Sequence, residues 1–332
     1  KGLTLLLLCT LCLLLGMLFR PRASRQHRAG VFIHAIKLLY ILAFVCSSCC
    51  YSASYSSHPS ILERQKKVGR GEAAERLKRW VRTDKNTIFN VEMMVDSIGD
   101  LGLRAIRNYT ENEVVLLLPK TMLMTEGLLM EHKSKERDLI KEILVKKELS
   151  SQIDHFLLLY AMLVESVKDS SVFQPYLDML PDSLPNLPMY WTQEELNELE
   201  HGSHFVLKQV EVHNLFMDDA MLVLAYVDPP LAAAVSRDIV VRFWSLIFSR
   251  SFRLPGSNSL LAMIPVGDIF NHADQHRDVM LGDNEAFIFF KTVRSDIHIG
   301  KEMYSCYGKK MNDEALFYYG FVMDEVMLDI AR

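Results

Sequence analysis

The chain has 332 residues, half of them hydrophobic, with a net charge of −4 and six cysteines. Length and composition suffice for a full buried core in one large domain plus extra segments. The charge balance gives no case for nucleic-acid binding, which wants a basic patch or stripe.

Cys9, Cys12, Cys46, Cys49 and Cys50 all lie in the first fifty residues, which leaves only Cys306 for the globular part. Neither a disulfide framework nor a paired zinc site is expected there. Residues 3–19 are nearly all apolar and are followed by Arg20, Arg22, Arg25 and Arg28. A second apolar run covers 31–46, broken by His34 and Lys37. Each run is near the lower limit for a membrane span. Three readings compete: transmembrane helices, a signal sequence starting at Met17, or upstream sequence with no structure. Ser52-Ala53-Ser54-Tyr55 suits a cleavage site, and a bipartite leader of this type would address a plastid. Membrane association or organelle targeting would follow from the first two readings, and a cytoplasmic location otherwise. A start at Lys1 rather than a methionine reads as a fragment or an incomplete gene prediction.

Residues 1–55 are thus an apolar leader or membrane segment, and 56–76 a basic linker. The folded part is expected from Leu77-Lys78-Arg79-Trp80-Val81, a short amphipathic helix. Ile88-Phe89-Asn90-Val91 and Val114–Leu118, ended by Pro119, read as strands. Helical periodicity follows in 136–149, 153–167 and 206–216. Pro175, Pro181, Pro185 and Pro188 mark an irregular connection, and Asp228-Pro229-Pro230 marks a break. One helix is then predicted from about Leu231 to Arg250, with strands returning at Leu260. Beyond it come short apolar runs interrupted by turn residues: Ile264–Phe270 before Asn271-His272, then Phe287–Phe290, then Gly300–Gly308, then Tyr319-Gly320-Phe321. These read as short strands. Asn271-His272 directly after an apolar run requires hydrogen-bond partners if buried.

An Asn-His pair after an apolar run, a Tyr-Gly (Tyr307-Gly308) some thirty residues on and a Tyr-Gly-Phe beyond it resemble the C-terminal half of a SET domain. The match is to the branch of the Rubisco large-subunit lysine methyltransferase and the actin-histidine methyltransferase. Asp100-Leu101-Gly102-Leu103-Arg104-Ala105 resembles the opening glycine loop of that branch, although Asp100 stands where relatives usually have a glycine. Phe173-Gln174-Pro175-Tyr176-Leu177 with Leu180-Pro181 resembles part of its helical insert. The resemblance implies an α+β SET fold of short strands with a knot-like C-terminal closure, split by an all-helical insert. In numbers, 77–130 and 239–323 form the two parts of the SET domain, 131–238 the insert, and 324–332 the start of a further region.

It also implies methyl transfer from S-adenosylmethionine to a protein side chain, a lysine of a non-histone protein in the first instance. Protein-histidine methylation and a catalytically silent SET-like interaction module are the alternatives. The task is positional: a neutral amine must meet an already activated methyl group. By resemblance Tyr307 is the catalytic tyrosine, with a core tyrosine beside a turn glycine as the bland reading. Asn271 and His272 would face the adenosine, and Asp268 would join them. Gly102, Leu103 and Arg104 would wrap the methionine end of the cofactor. Arg250 would face the cofactor, or else serve the helix C-terminus as a dipole-favoured cation. Phe252 and Gly267 would flank the target side chain, with Tyr304 and Tyr319 completing the channel. No metal is expected. A metal site at Asp274, His272, His276 and Asp278 is the rival, and it lacks the glutamate of a zincin helix because position 273 is alanine.

Overall fold

Two helices buried on every side along their middle turns organise the interior. The computed structural model describes residues 69–95, 101–199, 202–273 and 276–323. The apolar runs at 3–19 and 31–46 and the segment 324–332 lie outside the described residues. Among the described residues no helix is long and apolar enough to cross a membrane.

Helix α1, Arg70–Val81, buries Ala73, Leu77 and Val81 along one stripe. It starts before Leu77 and so takes in part of the expected linker. Its first turns are polar and carry the Arg76–Glu72 pair at 2.7 Å, and Ala73 is too small to announce a buried face. Strand β1 (Ile88–Phe89) leads into the hairpin of β2 (Val91–Val95) and β3 (Leu101–Ala105), and β4 spans Val114–Pro119. The expected glycine loop Gly102–Arg104 is therefore strand. Glu92 faces Arg104 across the hairpin and Met94 faces Gly102.

The helical layer follows. It comprises α2 (Ser134–Lys146), α3 (Ile153–Val167), the one-turn α4 (Gln174–Leu177), α5 (Gln193–Glu198) and α6 (His204–Val227). From Phe156 to Leu163 every residue of α3 is buried, which is the signature of a helix enclosed on all sides. The predicted helix from Leu231 to Arg250 is two helices, α7 (Pro229–Ala234) and α8 (Arg237–Arg250). Ser236 divides them by capping α8, its hydroxyl accepting from the Ile239 amide at 3.3 Å. Helix α8 is buried continuously from Ile239 to Ile247 and packs on α3.

The chain then returns to strand: β5 (Ser251–Arg253), β6 (Leu261–Met263), β7 (Asn271–His272), β8 (Val279–Asp283), β9 (Phe287–Thr292) and β10 (Tyr304–Ser305). Strands β1, β4, β9 and β8 form an antiparallel sheet in that order. Strands β7 and β10 pair in parallel, Tyr304 opposite Asn271 and Ser305 opposite His272. Tyr319 closes helix α9 (Asn312–Tyr319) instead of lying in a strand, and Gly320 ends that helix in the left-handed conformation at φ 78°.

Candidate active site

Three short segments bring the predicted residues together. The first is the end of α8, which delivers Arg250. The second is the turn Gly267–Ile269 with β7, which delivers Asp268, Asn271 and His272. The third runs from β10 to α9 and delivers Tyr307 and Tyr319. The turn is entered through Val266 at φ 69°, a conformation costly for a β-branched side chain and held here by complete burial.

Two cavities meet at these residues. The larger, about 620 Å³, is lined by Gly102, Asn271, His272 and Glu302 on the strand side and by Leu184–Leu187 from the helical layer. The smaller, about 310 Å³, is lined by Phe252, Met280, Leu281 and Cys306. Ser249, Arg250, Asp268, Tyr307 and Tyr319 line both and form their common wall. Leu103, Arg104, Gly267 and Tyr304 line neither.

Each of these four departures has a local reason. Leu103 points to the opposite face of β3 from Gly102 and is fully buried in the core. Arg104 shares the face of Gly102, but its Nε donates to Glu92 Oε2 at 2.8 Å across the hairpin. Gly267 is closed in, because a Cβ there would lie 2.6 Å from Phe290 Cε2 and 2.7 Å from Ile264 Cγ2. It permits close packing rather than opening the cavity. Tyr304 donates its hydroxyl to Glu302 Oε2 at 2.9 Å and supports the larger cavity from behind.

Tyr307 is held at both ends. Its amide donates to His272 Nδ1 at 3.1 Å, and its hydroxyl donates to the Phe270 carbonyl at 2.7 Å. Burial pushes its pKa far above the usual tyrosine value, so it stays a neutral phenol whose oxygen retains lone pairs as acceptors. The Tyr319 ring lies 4.9 Å from that of Tyr307, and burial raises its pKa to about 12. Asp268 is buried, accepting from the Tyr176 hydroxyl at 2.9 Å, with Arg250 Nη1 3.7 Å from its carboxylate. Desolvation raises its pKa, with Arg250 and Tyr176 opposing the rise. Its other oxygen, Oδ1, is buried without a hydrogen-bond partner among the described residues. Arg250 also donates to the Asp268 carbonyl at 3.0 Å, so it serves the wall as well as the end of α8.

Asn271 does more than face a ligand. Its amide donates to the Leu101 carbonyl at 3.1 Å and to Glu302 Oε1 at 2.8 Å, tying β3 to the segment before β10. Both amide hydrogens are thereby used and the amide oxygen remains as an acceptor. A Cβ on Gly102 would fall 2.6 Å from Glu302 Oε1, so glycine is what admits that carboxylate. Glu302 and Tyr176 escaped the sequence reading, although Tyr176 sits inside the quoted insert segment. Of the metal alternative, Asp278 is committed to Lys301 Nζ at 3.0 Å and to the Tyr304 amide at 3.1 Å, and Asp274 lies outside the described residues.

The larger cavity offers acceptors in Asn271, Glu302 and Asp268 and cations in Arg70 and Arg250. Aromatic rings close it: Phe321 lies 5.9 Å from both His272 and Tyr319. This lining fits a ligand that carries positive charge, a carboxylate and a flat ring, and the volume is that of a cofactor site.

No family model matches the chain. N-lysine methyltransferase setd6 of Xenopus laevis is 24% identical over 245 residues, covering 68% of this chain and 51% of that protein. Human actin-histidine N-methyltransferase is 24% identical over 260 residues, 75% of this chain and 42% of its own length. The chain spans about half the length of the curated relatives it matches. Among solved structures, the SET domain of LSMT bound to lysine and AdoHcy superposes with a TM-score of 0.63 at 22% identity, over 76% of this chain and 58% of that one. Rubisco LSMT bound to AdoMet gives 0.60 at 22% identity over 76% and 57%. The chain has the SET-domain fold, and its likenesses fall in the branch to which its Asn-His and Tyr-Gly segments point.

Proposed function

We propose that this chain transfers a methyl group from S-adenosylmethionine to a lysine side chain of a protein. The carrying observation is the common wall: Tyr307 lines both cavities, so a donor in one and an acceptor in the other would meet at its hydroxyl. Solved relatives bound to AdoMet, or to lysine together with AdoHcy, support a site that takes both a cofactor and a lysine.

When bound, the cofactor supplies a methyl group activated by a sulfonium. Asn271, His272 and the strand edge at Gly102 would hold it, with Arg70 or Arg250 meeting its carboxylate. The protein's own part is to orient and to exclude water. The Tyr307 oxygen, whose O–H donates to the Phe270 carbonyl, keeps its lone pairs to accept from the incoming amine or from polarised C–H groups. A lysine near pH 7 must also lose its proton, at a cost of about 4.6 kcal/mol in water. The guanidinium of Arg250 and the aromatic wall disfavour the ammonium form and lower that cost. Tyr307 is too weak an acid to act as a tyrosinate base.

Histidine as acceptor is the second reading, favoured by the likeness to the actin-histidine enzyme. The silent-module alternative is disfavoured by Asn271, His272 and Tyr307 all lining the cavity. Incubating the chain with isotope-labelled S-adenosylmethionine and a protein extract, followed by residue-level mass spectrometry, separates these readings. Label on lysine Nζ is expected, and label on imidazole would favour histidine. No label on any protein, from a chain that binds the cofactor, would overturn the enzyme reading.

A further inference from the structure

The smaller cavity is charged opposite to the chain as a whole. Its lining holds Arg250, Arg253 and Arg277 against one carboxylate, Asp268, while the whole chain carries −4. Asp268 is already shared between Arg250 and Tyr176. Other carboxylates around this cavity are likewise committed within the protein. Asp278 pairs with Lys301 at 3.0 Å, Asp283 with Lys120 at 2.8 Å and Asp154 with Arg253 at 2.9 Å. At the mouth, Arg277 is exposed. Lys309, also exposed, and Lys310 follow directly on Gly308, itself part of the lining. Among the described residues none of these three forms an ion pair.

We propose that this cationic mouth selects an acceptor side chain flanked by Asp or Glu residues in its own peptide. The proposal rests on the reading above, in which the smaller cavity takes the acceptor. A lysine arriving as an ammonium is repelled by Arg277 and by Arg250, whose partner Asp268 stands 3.7 Å away, while Arg253 is held by Asp154. That repulsion favours the neutral amine the reaction needs, but it leaves the peptide without electrostatic attraction. Acidic neighbours on the peptide supply the attraction at the rim, where Arg277, Lys309 and Lys310 can take them, and a concave cationic mouth also steers them in. A peptide with basic flanks is rejected by the same charges.

The test is binding, measured by fluorescence anisotropy with the full chain and two labelled peptides. Each has one central lysine, flanked by glutamates in one and by glutamines in the other. At low salt the glutamate peptide is expected to bind about fivefold more tightly. The preference should fall toward one in an Arg277→Gln/Lys310→Gln variant and at about 0.5 M salt. Unchanged binding of S-adenosylhomocysteine by that variant controls for folding. Equal binding of the two peptides, or a preference that survives both substitutions, overturns the proposal. A glutamate preference with no methyl transferred would instead sink the function and leave the rim standing. Methyl transferred equally to both peptides would sink the rim alone.

Discussion

The Asn271 amide donates to Glu302 Oε1 at 2.8 Å, and the missing Cβ of Gly102 is what lets that carboxylate stand where it does. Three residues far apart in the chain thus fix one wall of the larger cavity. Gly102→Ala would drive a methyl group to 2.6 Å from Glu302 Oε1, and Glu302 must swing out and release Asn271. Cofactor affinity is expected to drop about tenfold as this wall shifts, and loss of the internal Asn271–Glu302 hydrogen bond, worth about 1.5–3 kcal/mol, should lower the melting temperature by several degrees. Calorimetric titration beside thermal denaturation checks both halves.

Tyr307→Phe removes the hydroxyl and keeps the ring against His272 and Tyr319. Methyl transfer is expected to slow by about 10²–10³-fold, the range for losing one preorganised polar group at a reacting centre. Binding of S-adenosylhomocysteine should stay within about threefold. Single-turnover rates beside equilibrium titration separate the two; a rate within about twofold of the parent removes Tyr307 from the chemistry.

Gly320 sits at φ 78°, and a Cβ on it would lie 2.9 Å from Asn186 Cβ. It clamps the end of α9 onto the proline-rich connection that roofs the larger cavity. Gly320→Ala combines left-handed strain with that clash and is expected to cost about 1–3 kcal/mol of stability. Urea denaturation at a fixed pH measures it.

His155 and His213 lie around Trp244 and Phe248, and burial lowers both pKa values to about 4. His213 accepts from Trp244 Nε1 at 3.0 Å, which requires Nδ1 to be unprotonated. Below about pH 6.5 the unfolded chain takes up protons that the folded chain refuses, so stability falls as pH drops from 6.5 toward 4. Each group contributes at most about 3 kcal/mol to that loss. The denaturation midpoint should already decline between pH 6.5 and 5, before most carboxylates titrate, and His155→Phe should reduce the decline.

Much of this architecture is written locally. Helix α3 runs from Ile153 to Val167 because an uninterrupted apolar stretch admits few alternatives. Asn271, His272, Arg250, Asp268, Tyr307 and Tyr319 reach the cavities because their segments keep a recognisable order. The failures arise where tertiary contacts decide. Arg104 was legible as a cation near a glycine turn, but only the strand register shows Glu92 taking it. The break at Ser236 carried its own cap signal, outweighed by the continuous apolar pattern on both sides. Glu302 could not be singled out, since its importance depends on Gly102 and Asn271 arriving from elsewhere.

On the proposed function, the larger cavity holds the cofactor against Asn271. Calorimetric titration of the full chain with S-adenosylhomocysteine, run beside Asn271→Ala, tests this most directly. One saturable site is predicted, weakened about tenfold or more by the substitution. No binding by the folded chain, or binding that ignores the substitution, would contradict it.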